Sequence, residues 1–276
     1  MVFADLRIYS HDRKWLRGPR EEPFNHVGQM LMRYTLQLAA LQLTLPNYSH
    51  LYLMVRIEEN DTKQTQYEFT QTSGPHEFYK KVFVTITNPP KDKGNIDELL
   101  NRLIPDAFKW TGDLENLDKE ILERAQTQII EEGSEIKIPL RISENKKYRA
   151  QVLISPRGPF SYSGTAFIHL TNKETQLVTV KELFKYCFDE YAFAFLKRLQ
   201  IMSKTIRVIS RANWHRDLPH LPKEVELSIE KIFDPNSQNV FITDMAECYK
   251  VLMLGYLPGG DYMIEPHELE ELHEKW

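Results

Sequence analysis

Cysteine is scarce in this chain: two among 276 residues, Cys187 and Cys248. They lie far apart and lack the close pairing of a zinc site or the density of a disulfide framework. Both fall in segments patterned as helix, so they read as inert buried thiols of a reducing compartment. Long apolar runs are also missing. No stretch approaches the roughly 20 residues that span a bilayer, and the acidic Asp5 comes too early for a secretory leader. The expectation is a cytoplasmic protein with no membrane partner. The net charge of −4 gives no overall pull toward nucleic acid or anionic lipid.

Catalytic motifs are the next absence. The loop 155–164 holds glycine and proline but leads into a strand pattern. A phosphate cradle needs its glycines before a helix and a following lysine. His267 and His273 do not have the spacing of a metalloprotease helix, where two histidines sit four apart around a glutamate. His215-Arg216-Asp217 matches the catalytic loop of protein kinases in three letters, without the glycine-rich loop or the metal-binding partners of that machinery. No metal, cofactor or catalytic group is expected.

What is present is a recurrence. Val55-Arg-Ile-Glu-Glu-Asn60 resembles Leu140-Arg-Ile-Ser-Glu-Asn145, and Gly74-Pro75 with Phe83 to Asn88 resembles Gly158-Pro159 with Phe167 to Asn172. A third block, 96–100, resembles 180–184 at nearly the same offset. A recurrence at fixed offset implies duplicated supersecondary units. The expected fold is α+β: two tandem three-stranded antiparallel sheet units, each flanked by helices, then a mainly helical C-terminal segment. Residues 1–112 hold the first unit with an N-terminal strand and a basic loop, 113–202 the second, and 203–276 the C-terminal strand and helices.

Periodicity places the elements. Strands are expected at 2–10, 51–58, 66–72, 78–87, 135–142, 148–155, 165–171 and 205–210. Pro139 inside one of them demands an edge or a bulge. Helices are expected at 25–45, at 96–108 with Pro105 interrupting, and at the acidic stretch 113–132. Further helices are expected at 180–202, 224–233, 243–254 and 265–276. The helix over 180–202 carries Leu183, Phe184, Cys187, Phe188, Tyr191, Phe195 and Leu199 as one aromatic stripe, the pattern of a central packing helix.

The candidate binding residues lie in loops. Trp15 sits among His11, Arg13, Lys14, Arg17 and Arg20, a set able to grip a phosphate or an acidic group. The loop 155–164 presents Arg157 and Tyr162, and a third loop presents Trp214, His215, Arg216 and Asp217. The competing reading of each is a solvated loop with its aromatic folded onto the core.

Three functions are weighed from these residues. The first is a non-enzymatic protein that binds another protein, since tryptophan and tyrosine dominate interfaces. The acidic 113–132 helix suits a basic partner, as in an immunity or antitoxin-type inhibitor. The second is a hydrolase whose site joins His11 and Asp12 to His215 and Asp217. The third is nucleic-acid binding through the basic loops, which the net acidity disfavours.

Overall fold

Apolar residues at helical spacing build α1 (His26–Ala40), whose Val27, Met30, Tyr34 and Leu38 are buried along one face. The helix stops as Gln42 turns to φ 60°, and Leu43 N–H bonds back to the Leu38 carbonyl at 2.9 Å. It connects β1 (Asp5–Ser10) to β2 (His50–Glu58), which pair in parallel from Asp5–His50 to Ser10–Val55. This architecture comes from a computed structural model that describes residues 1–10, 26–62, 64–76, 78–156, 164–186, 196–210 and 223–237.

β3 (Gln66–His76) and β4 (Tyr79–Thr87) form an antiparallel hairpin. The strand beside β2, however, is β4, in parallel, and the sheet runs β1-β2-β4-β3. The expected purely antiparallel three-stranded unit is corrected on this point. Turn chemistry at 59–62 reverses the chain but does not choose the next strand's neighbour. β4 buries Val82, Val84 and Ile86 and gains from two neighbours, whereas β3 carries Glu68, Thr70 and Gln71 and suits an edge.

The helices α2 (Lys93–Trp110) and α3 (Asn116–Glu132) join α1 on one face of this sheet. Leu99, Leu100, Leu103, Ile104, Leu122 and Ile129 meet Leu51, Leu53, Val82 and Val84 in a single core. Asp92 caps α2 by accepting from Asn95 N–H at 3.1 Å. Pro105 lies inside α2 without interrupting it, contrary to expectation. The Asn101 carbonyl, which a proline at 105 cannot reach with an N–H, accepts from Gln126 Nε2 of α3 at 2.7 Å.

Beyond a short 3₁₀ turn (Gly133–Glu135), β5 (Ile138–Glu144), β6 (Tyr148–Ile154), β7 (Gly164–Asn172) and β8 (Val178–Tyr186) form an antiparallel meander in sequence order. Pro139 stands on the edge strand beside a bulge, the placement it requires. β8 overturns the helix expected over 180–202, and β9 (Arg198–Ile201) occupies the end of that range. A bulge in the β7–β8 pairing brings both Leu183 and Phe184 into the core. Two adjacent apolar residues followed by spaced aromatics mimic a helical stripe, which explains the misreading. Cys187, Phe188, Tyr191 and Phe195 lie outside the described residues.

β10 (Thr205–Ile209) pairs with β9 and with β11 (Glu224–Ser228). The helix expected at 224–233 is therefore a strand followed by the short α4 (Ile229–Phe233), which Ser228 caps. The expected helices at 243–254 and 265–276, and Cys248, lie outside the described residues. Ala150, Val152, Ile168, Leu170 and Phe184 form a second core with Leu199, Ile206, Val208, Leu227 and Ile232. Leu36 of α1 packs against both cores. The matched segments differ in strand order, β2-β4-β3 against β5-β6-β7, so they do not share a topology.

Candidate functional site

The loop residues singled out from the sequence lie outside the described residues: His11, Asp12, Trp15, Arg157, Tyr162, Trp214, His215, Arg216 and Asp217. The described residues offer a different surface. Strand alternation gives the first sheet two faces, and the one opposite α1–α3 carries Arg7 and Tyr9 of β1, His50 and Tyr52 of β2, and Tyr79 and Lys81 of β4. Register sets Arg7, Tyr52 and Lys81 in one row and His50 beside Tyr79 in the next.

The rings touch in sequence across the strands. Tyr9 meets Tyr52 edge-on at 5.5 Å, and Tyr52 stacks on Tyr79 at 5.0 Å. His50 meets Phe78 at 4.9 Å, and Phe78 meets Tyr79 at 5.7 Å. The Arg7 guanidinium lies 5.8 Å from the Tyr52 centroid and the Lys81 amine 5.5 Å from that of Tyr79. Hydrogen bonds to Tyr9 and to Asp5 hold the Arg7 pKa above its ordinary value, and desolvation pushes the Tyr52 phenol up. The surface stays accessible: Tyr9 is 42% exposed and Phe78 43%.

Charge on this face is balanced. Arg7 is paired with Asp5 at 2.5 Å and Arg56 with Glu58 at 3.1 Å, and Lys81 shares the face with Glu68 of β3. Rigid, amphipathic tyrosines are the side chains that build protein interfaces at low entropic cost. Single-stranded nucleic acid fits less well, because it asks for ring faces open to bases and for uncompensated positive charge. Here Tyr52 and Tyr79 present their faces to each other, and the arginines already hold carboxylates.

A cleft of about 630 Å³ opens at the carboxyl ends of β2 and β4, beside the N-terminus of α2. Ligands favour that end of parallel strands. Its polar groups are largely turned on one another, though. Asn88 Nδ2 donates to Asn60 Oδ1 at 2.6 Å, Thr65 Oγ1 donates to the Asn88 carbonyl at 2.7 Å, and Asp92 is engaged by Asn95. The cleft therefore reads as a braced loop junction.

The outer face of the second sheet carries the row Ile142, Gln151, His169 and Val180. Burial, then the charge of Arg149, lowers the His169 pKa, and its Nδ1 has no hydrogen-bond partner among the described residues. Among the described residues no cluster of His, Cys, Asp and Glu is arranged to hold a metal ion, and no helix is long and apolar enough to cross a membrane.

The sequence placed strands at 51–58 and 78–87 but gave no sign that their outer faces adjoin. The readable signal was a pair of rings at alternate positions of β2, His50-x-Tyr52, with Tyr79 opening β4. It becomes one surface only once β2 and β4 are known to be neighbours. Comparisons of the chain with family models, with curated proteins and with solved structures found no match.

Proposed function

We propose that the protein works by holding another protein, without turnover, and that the tyrosine face of β1, β2 and β4 is the surface that holds it. The observation that carries this reading is the continuous contact of Tyr9, Tyr52, Tyr79 and Phe78 on a half-exposed sheet face. Such a cluster on rigid strands supplies the central anchors of an interface. The balanced charge around it favours a partner matched by shape and apolar contact over one selected for net basic charge.

The test starts with recovery and identification of the protein that copurifies with the full chain, followed by binding measurements on the purified pair. Tyr52→Ala and Tyr9→Ser remove anchors without touching the buried core. Loss of a hot-spot side chain costs about 2 kcal/mol or more, roughly thirtyfold in affinity. Leu117→Ser, an exposed change on α3, is expected to leave binding unaltered. An identified partner that binds both folded tyrosine variants as tightly as the parent would overturn the assignment of this face.

A further inference from the structure

We propose that the edge of β8, which no strand pairs among the described residues, is a self-association surface, at which two copies of this chain pair antiparallel about Thr179. This edge belongs to the second sheet and is separate from the tyrosine face of the first.

Asn172 N–H donates to the Leu177 carbonyl at 2.9 Å as β7 turns into β8. In an antiparallel pair, hydrogen-bonded and non-hydrogen-bonded positions alternate. Leu177 and Thr179 therefore turn their backbone groups toward β7, and Val178 and Val180 turn theirs away. Among the described residues no backbone hydrogen bond reaches Val178 or Val180 from that outer side. Among the described residues β8 ends its sheet in the order β5-β6-β7-β8, and Val178-Thr179-Val180 carries no proline, bulge or charge, the usual devices that blunt an edge; the charges begin at Lys181 and the bulge at Leu183.

The occupant follows from the sequence of the edge. A two-fold contact must be self-complementary, and Val178-Thr179-Val180 reads the same in both directions. Pairing about Thr179 sets Val178 against Val180 of the partner copy and the reverse, with the outward N–H and C=O groups of each in reciprocal register. Thr179 then faces its own counterpart. Valine and threonine pairs across strands are favourable. No like charges are opposed, because Lys181 meets Leu177 of the partner copy, and the Lys181 amine is already drawn to the Asp234 carbonyl at 3.0 Å. Val178 is 50% exposed and Val180 44%, on the outer face that Ile142 shares, and Leu177 at the turn is 53% exposed. Pairing shields the flanks of Val178 and Val180 on the outer face and of Leu177 just before β8.

Sedimentation equilibrium on the full chain across a wide concentration range gives the test. The weight-average mass is expected to climb from 32.6 kDa toward twice that value. Val180→Lys, confirmed as folded by circular dichroism, is expected to weaken the dimer at least about tenfold, as an edge lysine does. A second variant guards against misfolding of the first. Thr179→Cys places two thiols across a non-hydrogen-bonded pair, where Cα atoms lie about 4.5 Å apart, within disulfide reach. Mild oxidation should give a covalent dimer that the parent, with Cys187 and Cys248 alone, does not form. A chain that stays monomeric throughout, or a dimer indifferent to Val180→Lys with no added cross-link through Thr179→Cys, overturns the proposal.

Discussion

Pro105 deprives the Asn101 carbonyl of its helical donor, and Gln126 replaces that donor from a neighbouring helix at 2.7 Å. A buried carbonyl left unpaired costs about 1–3 kcal/mol. Gln126→Leu should therefore lower stability by about 1–2 kcal/mol in urea unfolding. In a Pro105→Ala background the backbone N–H returns, and the same change should cost about 1 kcal/mol less. Simple additivity of the two substitutions would mean that Gln126 acts by packing alone. Residue-level chemistry of this kind was half legible. The proline was plain in the sequence, while its compensating partner sits 21 positions away on another helix. The recurrent asparagines show the opposite case. Asn60 Oδ1 accepts from Thr62 N–H at 3.1 Å, and Asn145 Oδ1 accepts from Lys147 N–H at 2.9 Å. The repeated letters record the same turn chemistry used twice, and not a repeated strand order.

At the scale of elements, alternation and turn residues located the strands from β1 to β7 closely, because a half-buried strand writes its period into the chain. Pairing was less legible. Which strand becomes central depends on contacts between distant segments, and the β8 bulge disguised a strand as a helix. Buried polar links between elements were invisible for the same reason. Lys80, 9% exposed at the start of β4, bonds Asp113 at 2.5 Å and the Thr111 carbonyl at 3.3 Å. Tyr48 donates to the same carboxylate at 3.1 Å, so one carboxylate ties the α2–α3 junction to the entry of both β2 and β4. Breaking a buried ion pair by removing one partner costs about 3–5 kcal/mol. Asp113 retains some contact with solvent, so Asp113→Asn should cost about 2–3 kcal/mol. Lys80→Met combined with Asp113→Leu should recover much of that loss, because no charge is left stranded. Denaturant midpoints of the single and double variants decide it. A single variant as stable as the parent would show that the pair contributes nothing.

The whole molecule raises the question of how its two cores are coupled. The first gathers three helices on a mixed sheet, and the second gathers two antiparallel sheets and a short helix. α1 belongs to the first core, yet Leu36 on it also packs against the second. Leu36 therefore lies where cooperativity between the cores can be tested. If the cores unfold as a unit, the slowest amides of β2 and β4 should share one opening free energy with those of β6 and β7 in native-state hydrogen exchange. Leu36→Ala removes apolar contact on both sides at once, at a cost of roughly 2 kcal/mol for a large-to-small change. It should also uncouple the cores, so that the opening free energies of the two strand sets separate in the variant. Equal protection in the parent that survives Leu36→Ala would place the coupling at other contacts between the two cores. Unequal protection already present in the parent would mean that the two cores open independently, whatever Leu36 touches.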